Sequence, residues 1–276
     1  MNRFEPAGNL EEAQAEKADV AWPEHFERLR SWFLLISFLV VMGIWELISG
    51  LNLLPSFILP GPGQVGLRFF QAVMDGTLPR HTAATLLEVM LGLLSGSLFA
   101  MLCGYAIARS RLLERLILPY LVASQAVPIV AIAPLLVIWF GPGLFSKVLI
   151  CALIVFFPVL VNTAVGLRSV PQHLRDLMHS MHATRLQSLR HLDIPAALPI
   201  FLGGLRIGAT LAVIGAVVGE FVGADRGLGF LLNVARGQYD TALVFAAVFT
   251  LIGMALGLYG LVLLAERRFL KWQLKN

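Results

Sequence analysis

The amino-acid sequence predicts an all-α integral membrane protein with six transmembrane helices, and three observations lead to this fold class. Hydrophobic residues occupy 58% of the 276 positions and charged residues only 14%, whereas a soluble domain carries about 25% charged residues. Several apolar stretches are longer than the roughly 18 residues that indicate a membrane span. The basic residues lie between these stretches, which argues against a nucleic-acid-binding surface despite the pI near 9.4.

We expect three regions along the chain. Residues 1–31 form a cytoplasmic tail, residues 32–266 form the six-helix transmembrane domain with a loop at 168–198, and residues 267–276 form a basic cytoplasmic tail. The acidic residues of the first region are unlike the start of a secretory signal, so the first apolar run is expected to remain as a signal anchor. The predicted spans are 32–51, 82–107, 116–140, 148–167, 198–222 and 242–264.

The individual spans differ in their small and helix-breaking residues. The second contains Gly92, Gly96 and Gly104, which allow neighbouring helices to approach closely. The third contains Pro119, Pro128 and Pro134, which predict a kinked or broken helix. A Pro/Gly-rich stretch follows the first span, and a short amphipathic helix is expected at residues 65–74.

Charge in the loops predicts the orientation. An even number of spans places both termini on one side of the membrane. Most lysines and arginines lie in the termini and in the loops after the second and fourth spans. Because cytoplasmic loops are enriched in these residues, both termini are expected to be cytoplasmic.

The longest internal loop combines basic and apolar residues at helical spacing. A helix of this kind outside the membrane either lies on lipid headgroups or docks into a partner. The loop reads DLMHSMHATR at 176–185, followed by IPAALP at 194–199 and GLRI at 204–207. Further motifs are LPGP at 59–62, IAPLLVIWFG at 132–141, FPVLVNT at 157–163 and GLG at 227–229.

These motifs, in this order, resemble the permeases of binding-protein-dependent ABC importers over residues 59–272. Within that family the chain is similar to the nitrate, sulfonate and taurine branch, and more closely to permeases for thiamine-precursor pyrimidines or riboflavin. The resemblance implies a type I ABC importer permease fold in the bacterial cytoplasmic (inner) membrane. It also implies a homodimer of permeases, an ABC ATPase dimer that binds ATP, and an extracytoplasmic solute-binding protein as partners.

In that family a short coupling helix in the loop sits in a groove of the ATPase. The residues that match it here are Asp176, Leu177, Met178, His182, Ala183, Thr184, Arg185 and Leu186. The family's Glu-Ala-Ala is Asp176-Leu177-Met178 in this chain, and the glycine that follows is His182. Either His182 adopts the backbone geometry of that glycine at some cost, or the coupling helix runs longer.

Polar residues inside the spans are candidates for a substrate pathway. An ionised carboxylate in a membrane span is costly and often marks a pathway, which applies to Glu220 and, with less support, to Glu88. Ser124, Gln125 and Asn162 are able to bond a polar heterocycle, but such side chains also bond neighbouring helices. The pathway residues suggested by the sequence are Ser124, Gln125, Pro128, Asn162 and Glu220.

The sequence indicates no catalytic centre. It contains no G-x-x-x-x-G-K-[ST] loop for ATP phosphates, so ATP hydrolysis is expected on a separate subunit. Cys103 and Cys151 are far apart and are expected to be buried thiols, and no metal site or cofactor is predicted. An ion-coupled secondary transporter is the alternative class, but it needs a buried proton or sodium relay. A membrane enzyme is a third possibility, without a recognisable catalytic set.

Overall fold

The computed structural model describes residues 24–51 and 55–270, and the chain separates into two units, Met1–Pro55 and Ser56–Asn276. In the first unit, helix α1 spans Glu24–Gly50, and its apolar part covers Leu35–Gly50. Most of the predicted N-terminal tail and the last six residues of the C-terminal tail lie outside the described residues.

The second unit is helical over its predicted spans except at residues 126–128, which interrupt the third. After α2 (Pro62–Met74), helix α3 (Thr77–Arg109) contains the second predicted span. Helices α4 (Arg111–Gln125) and α5 (Ile129–Phe140) divide the third, and α6 (Leu144–Arg168) contains the fourth. The long loop forms α7 (Gln172–Ser180), α8 (Arg185–Ser188) and a π-helical turn at Leu189–Asp193. It leads into α9 (Ile194–Gly223), which is followed by α10 (Leu228–Gly237) and α11 (Thr241–Phe269).

Four helices in the described part of the chain are long and apolar enough to cross a bilayer. They are α3, α6, α9 with the turns that precede it, and α11, and the α4–α5 pair adds a fifth if the two helices form one span. The apolar part of α1 is shorter than these four helices. The structure therefore supports a multi-pass helical membrane protein, and the sixth span stays a prediction.

The third predicted span is broken rather than gently kinked. Helices α4 and α5 meet at an angle of 95°, and Pro128 is the residue directly before α5. Pro119 and Pro134 lie inside α4 and α5 without ending them. Membrane helices tolerate such prolines because other groups can satisfy the freed backbone atoms.

Small residues bring α3, α6 and α9 into close contact. A Cβ atom added to Gly96 of α3 would lie 2.6 Å from the carbonyl oxygen of Ala152 in α6. A Cβ atom added to Gly215 of α9 would lie 2.9 Å from Cα of Cys151 in α6. The buried Cys151 thus lies where the three helices converge, and the predicted role of the α3 glycines in close packing is confirmed at Gly96.

Candidate functional site

The loop between α6 and α9 carries the predicted coupling residues. Asp176, Leu177 and Met178 belong to α7, and Arg185 and Leu186 belong to α8. Thr184 starts α8 with a capping box, because its hydroxyl accepts the Gln187 amide and the Gln187 side chain accepts the Thr184 amide at 2.7 Å. Reciprocal bonds of this kind satisfy backbone groups at a helix start. The loop is therefore two short helices with a defined turn between them.

His182 makes that turn. Its φ is 55°, in the left-handed region, and α7 ends two residues earlier, at Ser180. The His182 amide donates to the carbonyl of His179 at 2.9 Å, and the Ala183 amide donates to that of Met178 at 3.0 Å. This pair of bonds is a Schellman motif, whose left-handed position is usually glycine. Of the two alternatives, the structure shows the first: His182 adopts the sharp turn and the helix does not run on.

Large apolar side chains on this loop are exposed. Leu177 is 55% exposed, Met181 69% and Leu186 72%. Large exposed apolar side chains outside the apolar spans are typical of a protein-binding surface. The arrangement fits the insertion of the loop into a partner.

A buried carboxylate ties the loop to the helices. Asp193, in the π-helical turn, is 2% exposed, and its Oδ2 accepts a hydrogen bond from Arg109 of α3 at 2.9 Å. Arg175 of α7 lies 3.6 Å from Asp193 Oδ1 and donates to the carbonyl of Leu167 at 2.6 Å. Asp193 therefore links the loop to α3, and Arg175 links it to α6. Sequence reasoning missed this residue, because its partners are distant in the chain.

Three of the predicted pathway residues meet at the bend between α4 and α5. Ser124 and Gln125 are in the last turn of α4, Pro128 precedes α5, and all three are exposed. The Ser124 hydroxyl donates to the carbonyl of Leu121 at 2.8 Å. The three residues are therefore exposed at the bend, and their place in a substrate pathway stays a prediction.

The other two predicted pathway residues lie elsewhere. The side-chain amide of Asn162 donates to the carbonyl of Pro158 at 2.8 Å within α6, and Asn162 packs against Gly204 of α9. Glu220 belongs to α9 but lies near the start of α6, because its neighbour in the chain, Gly219, packs against Lys147. Asn162 is fifteen residues along α6 from Lys147, which corresponds to about 22 Å at 1.5 Å per residue. The structure does not gather the five residues into one site.

Glu88 and Lys147 form a buried ion pair near the end of the unit opposite the loop. The Lys147 ammonium donates to Oε1 of Glu88 at 2.8 Å, and both side chains are 3% exposed. The other oxygen of Glu88 accepts no hydrogen bond from the residues that the structure describes. Lys147 thus pairs with Glu88, while Glu220 has other hydrogen-bond partners.

Three consecutive backbone amides point at side chains of this region. The Gly227 amide donates to Nδ1 of His81 at 3.0 Å, and the Leu228 amide donates to the Thr85 hydroxyl at 2.7 Å. The Gly229 amide donates to Oε2 of Glu220. The Thr85 hydroxyl in turn donates to Oε1 of Glu220 at 2.6 Å.

A cavity of about 1110 Å³ opens beside this network. Arg80 and His81 of α3, Lys147 of α6, and Arg226 and Phe230 near the start of α10 are among the residues that line it. The rings of His81 and Phe230 stack with centroids 5.8 Å apart. No group of three or more metal-binding side chains occurs among the described residues. The lining thus includes cationic side chains and an aromatic ring, together with the acidic residues Glu88 and Asp225.

Comparisons with known proteins place these features in a family. Residues 96–271 match the family model described as "Binding-protein-dependent transport system inner membrane component". The matched region runs from the middle of α3 to the end of α11 and includes the whole loop with His182 and Asp193. This match covers more than half of the chain.

Full-length relatives agree with the family match. The chain is 45% identical over 238 residues to the riboflavin transport system permease protein RibX of Chloroflexus aurantiacus, covering 86% of this chain and 89% of the relative. It is 37% identical to the formylaminopyrimidine transport permease protein ThiX of Halalkalibacterium halodurans, covering 87% and 95%. It is 36% identical to the taurine transport system permease protein TauC of Escherichia coli, covering 84% and 86%.

A solved structure shows the same fold. The inward-facing methionine ABC transporter MetNI matches with a TM-score of 0.64 at 18% identity, covering 71% of this chain and 97% of that chain. Family membership of this kind argues against the ion-coupled secondary transporter considered from the sequence. The chain belongs to the family of binding-protein-dependent transport system inner membrane components, the permease subunits of ABC transporters.

Proposed function

We propose that this permease is the membrane subunit of an ATP-driven importer that moves a small nutrient into the cytoplasm by alternating access. In this proposal the chain crosses the bacterial cytoplasmic membrane six times with both termini in the cytoplasm. Two copies form the pathway between them, an ABC ATPase dimer binds the loop, and a solute-binding protein delivers the substrate. We propose that ATP hydrolysis takes place on the separate ATPase subunit, and we expect this chain to need no cofactor of its own.

The single observation that carries the proposal is the construction of the loop between α6 and α9. Its apolar side chains Leu177, Met181 and Leu186 are exposed, while Asp193 at its end is buried and ion-paired to Arg109 of α3. One part is thus free to bind a partner, and the other is fixed to the helices.

We propose that this loop transmits movement from the ATPases to the helices. When the ATPases close or separate, they would displace α7 and α8, and the Arg109–Asp193–Arg175 contacts would carry the displacement to α3 and α9. Alternating access requires such a rigid connection to a bundle with two arrangements. The proposed contact residues are those that match the family's motif: Asp176, Leu177, Met178, His182, Ala183, Thr184, Arg185 and Leu186.

Replacing Ala183 and Leu186 together with aspartate tests this assignment. A buried, unpaired charge at a protein interface is strongly unfavourable. We expect the double variant to insert into the membrane normally but to lose ATPase binding and substrate-stimulated ATP hydrolysis in liposomes. Gln238→Asp is the control, because it adds one such charge at an exposed position after α10. Full stimulation in the double variant would refute the assignment.

For the substrate, we favour a flat nitrogen heterocycle. A pyrimidine precursor of thiamine is the preference from the sequence motifs, and riboflavin is the alternative that the 45% identical relative supports. The identities of 37% and 36% to pyrimidine and taurine permeases lie close together, so sulfonates, taurine and nitrate stay as alternatives. Ligand binding by the solute-binding protein encoded beside this gene distinguishes them, and selective binding of a sulfonate would exclude the heterocycle.

A further inference from the structure

The start of α10 lacks a cap from its own segment. A helix start leaves backbone N–H groups without helical partners, and the residue before α10 is Gly227, which has no side chain to accept them. Leu228 is fully buried, and Gly229 is also buried, so water does not satisfy their amides. A buried unpaired amide is unfavourable. The acceptors must therefore come from other helices.

Glu220 of α9 and Thr85 of α3 supply these acceptors. Thr85 accepts the Leu228 amide, and Glu220 accepts both the Gly229 amide and the Thr85 hydroxyl. A carboxylate at a helix start also interacts favourably with the positive end of the helix dipole. Both oxygens of the Glu220 carboxylate are thus used to hold α10 against α3 and α9.

The two glycines that flank Leu228 fit closely around Glu220. A Cβ atom at Gly227 would collide with the Glu220 carboxyl group, and the φ of +118° at Gly227 is one that other residues rarely adopt. A Cβ atom at Gly229 would lie 2.8 Å from Oε2 of Glu220. The Gly227-Leu228-Gly229 sequence therefore has a physical role, because it lets the backbone reach the carboxylate.

The contacts of Glu220 and Thr85 with the backbone of Leu228 and Gly229 form a clamp on α10. This clamp determines where one wall of the cavity stands. Arg226 and Phe230, which line the cavity, lie directly on either side of the clamped residues. The cavity is at the end of the second unit away from the loop, since it includes the first turns of α3 and α6, whereas Asp193 pairs near the last turn of α3. Under the proposed function, that end faces the arriving solute-binding protein.

We infer that Glu220 is a positioning residue that fixes α10 and the adjoining cavity wall for engagement of the loaded solute-binding protein. It acts through the backbone of Gly227-Leu228-Gly229, not by touching substrate. The functional half of this inference rests on the proposed function. The structural half, the clamping of α10, stands independently and is measured separately.

Hydrogen–deuterium exchange in lipid nanodiscs measures the clamp. Hydrogen bonds to charged groups are among the stronger ones in proteins, so Glu220→Ala should raise exchange at the amides of residues 227–229 by about tenfold or more. Glu220→Gln keeps an acceptor for Gly229 and a donor for Thr85, and should change exchange much less. Glu266→Ala is the matched control, because Glu266 is paired to Arg206 near the opposite end of the unit. Wild-type exchange at residues 227–229 in Glu220→Ala would overturn the inference.

ATP hydrolysis by the reconstituted complex measures the function. We expect Glu220→Ala to raise the half-saturating concentration of loaded binding protein by about tenfold, from the same lost bonds, while the maximal rate is kept. Glu220→Gln should restore a half-saturating concentration near that of the wild type. A lower maximal rate with an unchanged half-saturating concentration would assign Glu220 to coupling and overturn the inference.

A second variant decides the question if Glu220→Ala does not fold. Gly229→Ala leaves the carboxylate in place but pushes α10 away from it, and should reproduce both effects. Gly237→Ala, at the other end of α10, has no atom within 4 Å of the added Cβ, and should produce neither. If the wild-type complex shows no hydrolysis that depends on a binding protein, the proposed function fails, while the exchange result still decides the clamp.

Discussion

His182 has a backbone conformation that is unfavourable for its own side chain. Its left-handed φ closes the turn between α7 and α8, and the two hydrogen bonds of the Schellman motif hold it there. The position matches the glycine of the family's loop motif. The sequence showed that histidine replaces glycine here, but it did not show whether the turn would form. That depends on hydrogen bonds to the carbonyls of His179 and Met178, which residue identity does not specify.

His182→Gly should stabilise this turn by about 1 kcal/mol, because glycine adopts the left-handed region without steric strain. Hydrogen–deuterium exchange at the amides of residues 182 and 183 measures the effect as slower exchange. Met181→Gly is the matched control, since Met181 has a negative φ of −78° and glycine there only adds flexibility. Faster exchange in His182→Gly would show that the histidine side chain contributes contacts that outweigh the strain.

At the scale of secondary-structure elements, one face of α3 carries polar residues near its start and glycines further along. His81, Thr85 and Glu88 hydrogen bond to other segments, and Gly92 and Gly96 continue the same helical face against α6. The glycine part was predictable, because small residues in a membrane span indicate close packing. The contacts of the polar residues were not predictable. Glu88 pairs with Lys147, which is 59 positions away in the chain, and a single sequence does not reveal such pairs.

Gly96→Ala should destabilise the permease by roughly 1 to 3 kcal/mol, because the added methyl group meets the backbone of Ala152. Thermal unfolding in detergent measures this as a lower Tm. Gly257→Ala in α11 is the matched control, because no atom lies within 4 Å of the added Cβ and alanine favours a helix by about 1 kcal/mol over glycine. Equal effects of the two substitutions would contradict the close contact of α3 with α6.

The prolines of the third span show the limit of prediction for an element. All three predicted a kink or a break, yet the chain bends at Pro128 and continues through Pro119 and Pro134. Each proline removes one backbone donor in the same way. Whether the helix ends there depends on which neighbouring groups satisfy the freed carbonyls, and the sequence alone does not place those neighbours.

At the scale of the whole molecule, hydropathy and motif order predicted most of the architecture. The second, fourth, fifth and sixth predicted spans each fall within one described helix, whereas the third is divided between α4 and α5. The family match covers residues 96–271. Apolar length and composition suffice for this, because every backbone group in lipid must be satisfied within the protein. The buried contacts of Asp193 and Glu220 were not predictable, since they join segments that are distant in the chain.

Cysteine labelling tests the predicted orientation. We expect Gln238→Cys to react with a membrane-impermeant maleimide in intact cells, and His173→Cys to react only after lysis, because basic loops remain in the cytoplasm. Both positions are exposed. The unsubstituted protein gives the background from Cys103 and Cys151, of which Cys151 is buried. The reverse labelling pattern would invert the proposed topology.

The 95° corner between α4 and α5 restricts what can surround an assembled copy of this chain. Ser124 and Gln125 are exposed there, and irregular backbone at membrane depth persists only against protein or beside water. Lipid acyl chains cannot hydrogen bond to the polar groups of such a corner. We therefore expect a single copy in the bilayer to be an unassembled subunit that cellular quality control degrades unless its partner subunits bind.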